Sequence, residues 1–383
     1  MSHPLITRRA LLASSGAALA CGRRKATGFP GYCLVANQQG RSVAAVDLNT
    51  FRVRKVIALP SAPAAIAAHP DPAKPKAYVL AADAGSVYEI DAAGLVVGRS
   101  VRTGGQAVSM LLSPRKDAFW VLTRDPAALV MLPLEDFRPA RRIALPAPPD
   151  SFDISPDGRA AVASGQTRTI TMVSLPRAAI ERAISFGSVP SWVCFRWDGK
   201  QLIAGSAPDR NLVVIDAAAG KTVVRLPLPL APRHFCFNAD GGQLFVTGDG
   251  MDAVVIAFPY NTEIDQTILA GRAPGAMAVA ATDTSPAYLL VANPEDNAVT
   301  VLDIDSRRLV AVVQVGQAPG AIVITPDRDR QYALVLNEKS GDMAVIRRQM
   351  LAEAWVRRYK SAPLFTMIPV GERPVAAAVV RVG

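Results

Sequence analysis

The sequence predicts an all-β fold, a single β-propeller of four-stranded blades, and three observations predict it. Apolar runs are short and bounded by turn-formers, as in Leu289 to Ala292, Val299 to Leu302, Leu309 to Val315 and Ala321 to Ile324, which is strand length rather than helix length. A proline recurs ahead of the last run of each unit, at Pro63, Pro149, Pro190, Pro232, Pro274, Pro319 and Pro374, with Ala107 filling the one gap. Seven residues on lies a turn seen most fully in Ser155-Pro156-Asp157-Gly158 and varied as His69-Pro70-Asp71, Ser113-Pro114, Trp197-Asp198-Gly199, Ala239-Asp240-Gly241 and Thr325-Pro326-Asp327. The spacing is 41 to 45 residues until a last interval of 55. A fixed period of that size marks a repeat architecture, so the 383 residues are read as one closed array and not as several domains.

Composition agrees with a packed fold. With 50% hydrophobic and 19% charged residues, the chain has the apolar surface for a large core and is excluded from the disordered class. Residues 1–25 stand apart from the body. Arg8 and Arg9 precede an apolar run from Ala10 to Ala20 that is too short to anchor in a bilayer, and no acid occurs before Asp47, which predicts an export signal. The string Thr7-Arg8-Arg9-Ala10-Leu11-Leu12-Ala13 resembles a twin-arginine signal. Cys21 follows Ala18, Leu19 and Ala20, an imperfect likeness of the box at which bacterial lipoproteins are cleaved and lipidated. The expected location is therefore the periplasm, either free or tethered to a membrane through acylated Cys21. Removing Arg8, Arg9, Arg23, Arg24 and Lys25 from the 42 basic residues leaves 37 against 32 acids, so the formal +10 becomes about +5 for the body. So small a surplus favours solubility, and nucleic acid is not an expected partner.

The propeller body is read as residues 29–383. The run after the Ser-Pro-Asp-Gly-like turn recurs eight times, starting at Tyr32, Tyr78, Phe119, Ala161, Leu202, Leu244, Tyr288 and Tyr332. The next run often ends in an acid, at Asp47, Asp91, Asp216 and Asp303, a place explained by turn chemistry. The body opens on the second run of a unit and finishes on a lone inner-type run, Val375 to Val382. Closing the ring then requires the C-terminal strand to join the first blade, since an open array would leave strand edges bare. Inner runs and outer trios each number eight, which predicts eight blades, with seven as the alternative. The long last interval holds Met350, Leu351, Ala354 and Trp355 on one helical face, predicting a short helical insertion at about 348–362 that packs on the propeller's flank.

The unit beginning at Tyr288, with its Tyr-Leu-Leu-Val-Ala-Asn strand, its Val-Leu-Asp strand and its Gly316-Gln317-Ala318-Pro319 turn followed by Thr325-Pro326-Asp327, resembles the YVTN-type β-propeller repeat. The likeness covers nearly everything after Gly28. It is strongest from Tyr32, Tyr288 and Tyr332, and it fades in the third and fourth units. It implies a propeller scaffold, and because propellers of this type include sugar-lactone hydrolases, it implies a lactonase-type hydrolase as the enzymatic alternative.

Few residues can carry chemistry. The three histidines are His3, His69 and His234, with no pair at metal-ligand spacing, no Cys-x-x-Cys-His haem site and no phosphate-cradling loop, so no metal and no cofactor is expected. Cys194 and Cys236 fall at equivalent points of neighbouring inner strands, which splay apart, and are expected to be buried thiols rather than a disulfide. The sharper cue is the channel mouth, where the turn into each inner strand and the loop between second and third strands converge. Most of these turns are bland, as at Ala64, Gly275, Gly320 and Val375. From the third to the sixth blade they become Ser109, then Asp150 and Ser151, Ser191 and Trp192, and Arg233 and His234, with Arg168, Asp209, Arg210, Asp249 and Asp252 in the nearby loops. Such an arc is how a ligand or peptide site on this fold would be built. Arg233 and Asp150 would bind opposite charges and Trp192 would offer a stacking face. The leading expectation is a monomeric, non-enzymatic exported propeller that binds a protein, peptide or cell-envelope ligand, with a small molecule as a further option. Its alternatives are the lactone hydrolase, drawing on Asp150, Arg233 and His234, and polyanion or nucleic-acid binding.

Overall fold

In the computed structural model, residues 29–260, 262–282, 285–326, 331–351 and 362–382 are described. The export segment with Cys21, Asp327, and residues 352–361 of the expected insertion, including Trp355, lie outside them. The described residues form eight four-stranded antiparallel sheets arranged as the blades of a propeller, so the eight-blade reading holds and the seven-blade alternative falls. Blades 2 to 7 are contiguous, spanning 65–102, 106–144, 151–185, 192–227, 231–269 and 277–314, with blade 8 at 319–369. Blade 1 takes three strands from residues 31–58 and its innermost strand, Pro374–Arg381, from the other end of the chain. That strand runs antiparallel along Gly31–Asn37, with Leu34 opposite Ala378 and Tyr32 opposite Val380.

Burial follows position within the blade. Second and third strands such as Lys76–Ala81 and Ser86–Asp91 are buried almost end to end, because each lies in the middle of a sheet sandwiched between two others. Outer strands expose most of their residues, and they carry Arg52, Arg54, Lys55, Arg102, Arg141, Arg142, Lys221 and Arg225. An outer strand is an unpaired edge, and cations there keep it from templating another chain. Much of the body's basic surplus therefore sits on the rims of the blades.

The Asn that closes the Tyr-x-x-x-x-Asn runs is a structural clamp. Asn37, Asn293 and Asn337 are fully buried. The Asn37 side-chain amide donates to Val370 O at 2.8 Å, tying blade 1 to the chain leaving blade 8, and Asn293 donates to Thr300 Oγ1 at 2.8 Å. Several runs begin ahead of their expected starts, at Arg159 rather than Ala161 in blade 4 and at Gln201 rather than Leu202 in blade 5, and blade 2 shows the shift most plainly. Tyr32 and Tyr288 lie opposite Asp47 and Asp303, whereas in blade 2 it is Lys76 that lies opposite Asp91, and Tyr78 sits two residues further along opposite Glu89. An even shift keeps every side chain on its face, so the burial pattern survives. The expected insertion begins as a 3-10 turn, Arg348–Leu351, with Leu351 buried against the blade-8 core.

Candidate functional site

The loops that join second to third strands and the turns that enter inner strands lie together on one face, as expected, and blade 6 gives that face its most elaborated region. The inner strand Ala231–Phe237 pairs with Leu244–Asp249, but its register shifts between Pro232 and His234. The extra residue is Arg233. A bulge of this kind re-aims the side chain it ejects from the ladder, and Arg233 swings to Asp249, donating from Nε to Oδ2 at 2.8 Å. Gly248 makes this possible, since a β-carbon there would stand 1.9 Å from Ala231 O and 3.0 Å from Arg233 N. Backbone cannot yield as a flexible side chain would. Gly248→Ala is expected to displace the bulged strand and destabilise the protein by about 1–3 kcal/mol, measured by chemical denaturation.

Arg233, His234, Asp249, Asp252, Met251 and Glu295 border a concavity of about 600 Å³ at the junction of blades 6 and 7. Asp252 holds the turn into blade 7 by accepting the Ala273 N–H at 2.9 Å, and Arg272 is held by Asp296 at 2.8 Å. Arg210, from blade 5, leans over Gly250 of the same lip, its guanidinium 3.6 Å from where a β-carbon would be. Burial in the concave wall, with the Arg233 charge beside it, holds the His234 imidazole below its ordinary value, outweighing the opposing pull of Asp249. His234 is therefore neutral at pH 7 although the residue is exposed to solvent. The Arg233–Asp249 pair is 57% and 65% exposed. An ion pair that open contributes about 0–1 kcal/mol, so Arg233 is oriented by Asp249 yet exchanges it cheaply for another anion.

The rest of the expected arc does not join this cluster. Asp150 belongs to a separate focus between blades 3 and 4, accepting Arg124 Nη2 at 2.6 Å and the Gly165 N–H at 2.7 Å. Arg168 is exposed at a left-handed turn position, φ 54°, two blades away from Arg233. Trp192 offers no stacking face to solvent: it is 6% exposed, stacked on Phe235 at 3.9 Å, and fitted into a slot that exists because residue 205 is glycine, a β-carbon there falling 2.4 Å from the indole. The polar partners Arg124, Arg272, Glu295 and Asp296 were not among the sequence candidates. Their only signal was charge, at the end of a second strand for Arg124, in the loop joining second to third strands for Glu295 and Asp296, and in the turn entering an inner strand for Arg272.

A second concavity on this face, about 680 Å³, lies between blades 8 and 1 and is bordered by Glu338 and Arg373, paired at 3.4 Å. Its remaining wall mixes Gln39, Lys339, Ser340 and Glu372 with glycine, proline and alanine, and holds no imidazole. Among the described residues no three His, Cys, Asp or Glu side chains gather as a metal site. Cys33, Cys194 and Cys236 are free thiols, and burial pushes Cys33 up to about 12 and Cys194 well above the ordinary thiol value, so neither is a nucleophile at neutral pH.

Comparison with known proteins reaches the fold and stops there. No family model matches the chain. A seven-bladed β-propeller protein of Mycobacterium tuberculosis is 22% identical over 145 residues, 38% of this chain and 37% of that protein's length. The matched segment thus spans little more than a third of that relative. Among solved structures, a dihydro-heme d1 dehydrogenase, NirN, in complex with DHE has a TM-score of 0.71 at 15% identity, covering 89% of this chain and 74% of its own. The hydrazine synthase of Kuenenia stuttgartiensis has a TM-score of 0.57 at 21% identity, covering 74% and 95% respectively. At these identities the likeness is one of fold, and one fold hosts unrelated activities.

Proposed function

We propose that this protein is a ligand-binding propeller whose recognition surface is the mouth at blades 6 and 7, with Arg233 as the anchor for an anionic group on a protein, peptide or envelope molecule. The observation that carries this reading is the bulged, exposed Arg233, held over a concavity by an ion pair too weak to oppose its exchange. A rigid ring suits such a role, because the site needs little ordering when the ligand arrives. The YVTN-type resemblance and the export reading of residues 1–25 would place this surface in the cell envelope. Arg233→Ala combined with His234→Ala is expected to abolish retention of a co-purifying envelope partner while leaving the melting temperature within a few degrees. Unchanged retention by the folded double variant would sink the reading.

One observation favours a second reading, a lactone hydrolase. A neutral imidazole at a mouth beside a carboxylate and a guanidinium has the makings of a general base with an anion-stabilising partner. Turnover of an aliphatic or sugar lactone that disappears in His234→Ala and survives Asp150→Asn would establish it. No turnover across the panel would remove it and leave the binding role.

A further inference from the structure

The opposite face of the ring carries an aromatic pair that the repeat does not explain. In the turn after the inner strand, one register position is filled by Pro70, Pro114, Pro156 and Pro326, and in blade 5 it is filled by Trp197. In the turn before the outer strand of blade 6 stands Tyr260, where blades 2 and 5 have Ala93 and Ala218. These two departures meet in space. The Trp197 indole N–H donates to the Tyr260 hydroxyl, and the indole lies across Gly241, where a β-carbon would stand 2.6 Å from Cδ1. Beneath them the Arg196 guanidinium sits 4.2 Å from the Tyr260 ring centroid, and it is fixed in turn by Asp198 and by Gln201 Oε1 at 2.9 Å. Trp197 is nevertheless 62% exposed and Tyr260 47%.

Core packing does not account for rings that stay in solvent. Nor is the arrangement loose, since each ring is pinned by a hydrogen bond, a glycine contact or a cation, so little ordering remains to be done on binding. The Trp197 N–H is spent on the Tyr260 hydroxyl, which leaves the flat apolar ring as what the indole offers. A cationic ligand is disfavoured, because Arg196 already occupies the electron-rich face of Tyr260. Flanking turns supply an acceptor and a donor: Asp240, adjoining Gly241 and holding the Gly242 N–H at 2.7 Å, and Lys200, in the same turn as Trp197. Flat apolar surface ringed by one acceptor and one donor matches a pyranose, which presents a C–H face edged by hydroxyls. We propose that Trp197 and Tyr260 form a saccharide-stacking platform, with the pyranose C–H face on Trp197 and its hydroxyls toward Asp240 and Lys200.

This platform is independent of the mouth site, lying on the other face of the ring. The test is titration of the mature protein with chitotetraose, cellotetraose and maltotetraose, followed by tryptophan fluorescence, together with co-sedimentation on isolated peptidoglycan. At least one probe is expected to bind and perturb the emission. Trp197→Ala should weaken that binding at least tenfold, and Trp197→Phe should retain part of it, both with an unchanged melting temperature because the ring is on the surface. The variant carrying Arg233→Ala and His234→Ala should bind the saccharide as the parent does. No binding of any probe, or binding undiminished in folded Trp197→Ala, overturns the proposal, as does a platform that captures only peptides.

Discussion

A chain ending at Arg373, without the strand Pro374–Arg381, is expected to lose cooperative thermal unfolding and to aggregate. The missing strand supplies the inner edge of blade 1, pairing with Gly31–Asn37 along its whole length, and packs beside the inner strands of blades 2 and 8. Without it Gly31–Asn37, nearly all buried, becomes a long apolar edge facing the channel, the arrangement most prone to pairing with another chain. The loss is a large share of the whole stability of a typical domain, about 5–15 kcal/mol, because the strand's ladder with Gly31–Asn37 and its contacts with the inner strands of both neighbouring blades go at once. The contrast that isolates closure from chain length is a circular permutant that places residues 374–382 ahead of residue 29. Val382 N already donates to Pro30 O at 3.0 Å, so a short hairpin joins the two strands. The permutant should unfold cooperatively near the parent's melting temperature, and a truncated chain that matched the parent would show that the closure contributes nothing.

How much of this was legible beforehand depended on whether the signal repeated. Blade number and the closing strand could be read because Pro63 through Pro374 and the following turn impose one register on the chain, and each blade repeats the same packing problem. The displaced start in blade 2 escaped because Tyr78 imitates Tyr32 and Tyr288, and only pairing shows that Lys76 holds the equivalent place. At the mouth, sequence put Arg233, His234, Asp249 and Asp252 on one face, and the structure brings them to one concavity. What it did not carry was depth. Trp192 reads as an accessible ring from its position after Pro190, yet Gly205, thirteen residues later, opens the slot that buries it. Trp197, read as a variant of a common turn, is the ring that solvent reaches. A single sequence cannot tell these two tryptophans apart, because the difference lies in which glycine stands on the neighbouring strand or turn.

Glu89→Ala is expected to destabilise the protein by about 3 kcal/mol, among the largest effects for any charged residue in the ring. The Glu89 carboxylate is buried between the third and outer strands of blade 2, where Arg99 reaches it with Nε at 3.1 Å and Nη2 at 2.5 Å and Lys76 with Nζ at 3.1 Å. Arg99 goes on to the carbonyls of Glu135 at 2.7 Å and Leu134 at 3.2 Å, and lies 4.9 Å from the centre of the Phe137 ring, so one carboxylate organises the junction of blades 2 and 3. Removing it leaves two cations, each roughly 40% exposed or a little less, which recover part of their hydration; this keeps the loss at the lower end for a buried pair. Burial pushes the Glu89 carboxyl up, but the hydrogen bonds and charges of Arg99 and Lys76 outweigh it and hold it below the ordinary glutamate value. A depressed carboxylate contributes stability that is complete above its unfolded value, about 4.3, and is lost as pH falls through the folded value. The parent should therefore lose stability below about pH 4.3 more steeply than Glu89→Gln, which has no charge there to neutralise. Denaturation midpoints measured from pH 7 to pH 3 for both proteins decide it: parallel curves would mean that the carboxylate's charge is not what holds blades 2 and 3 together.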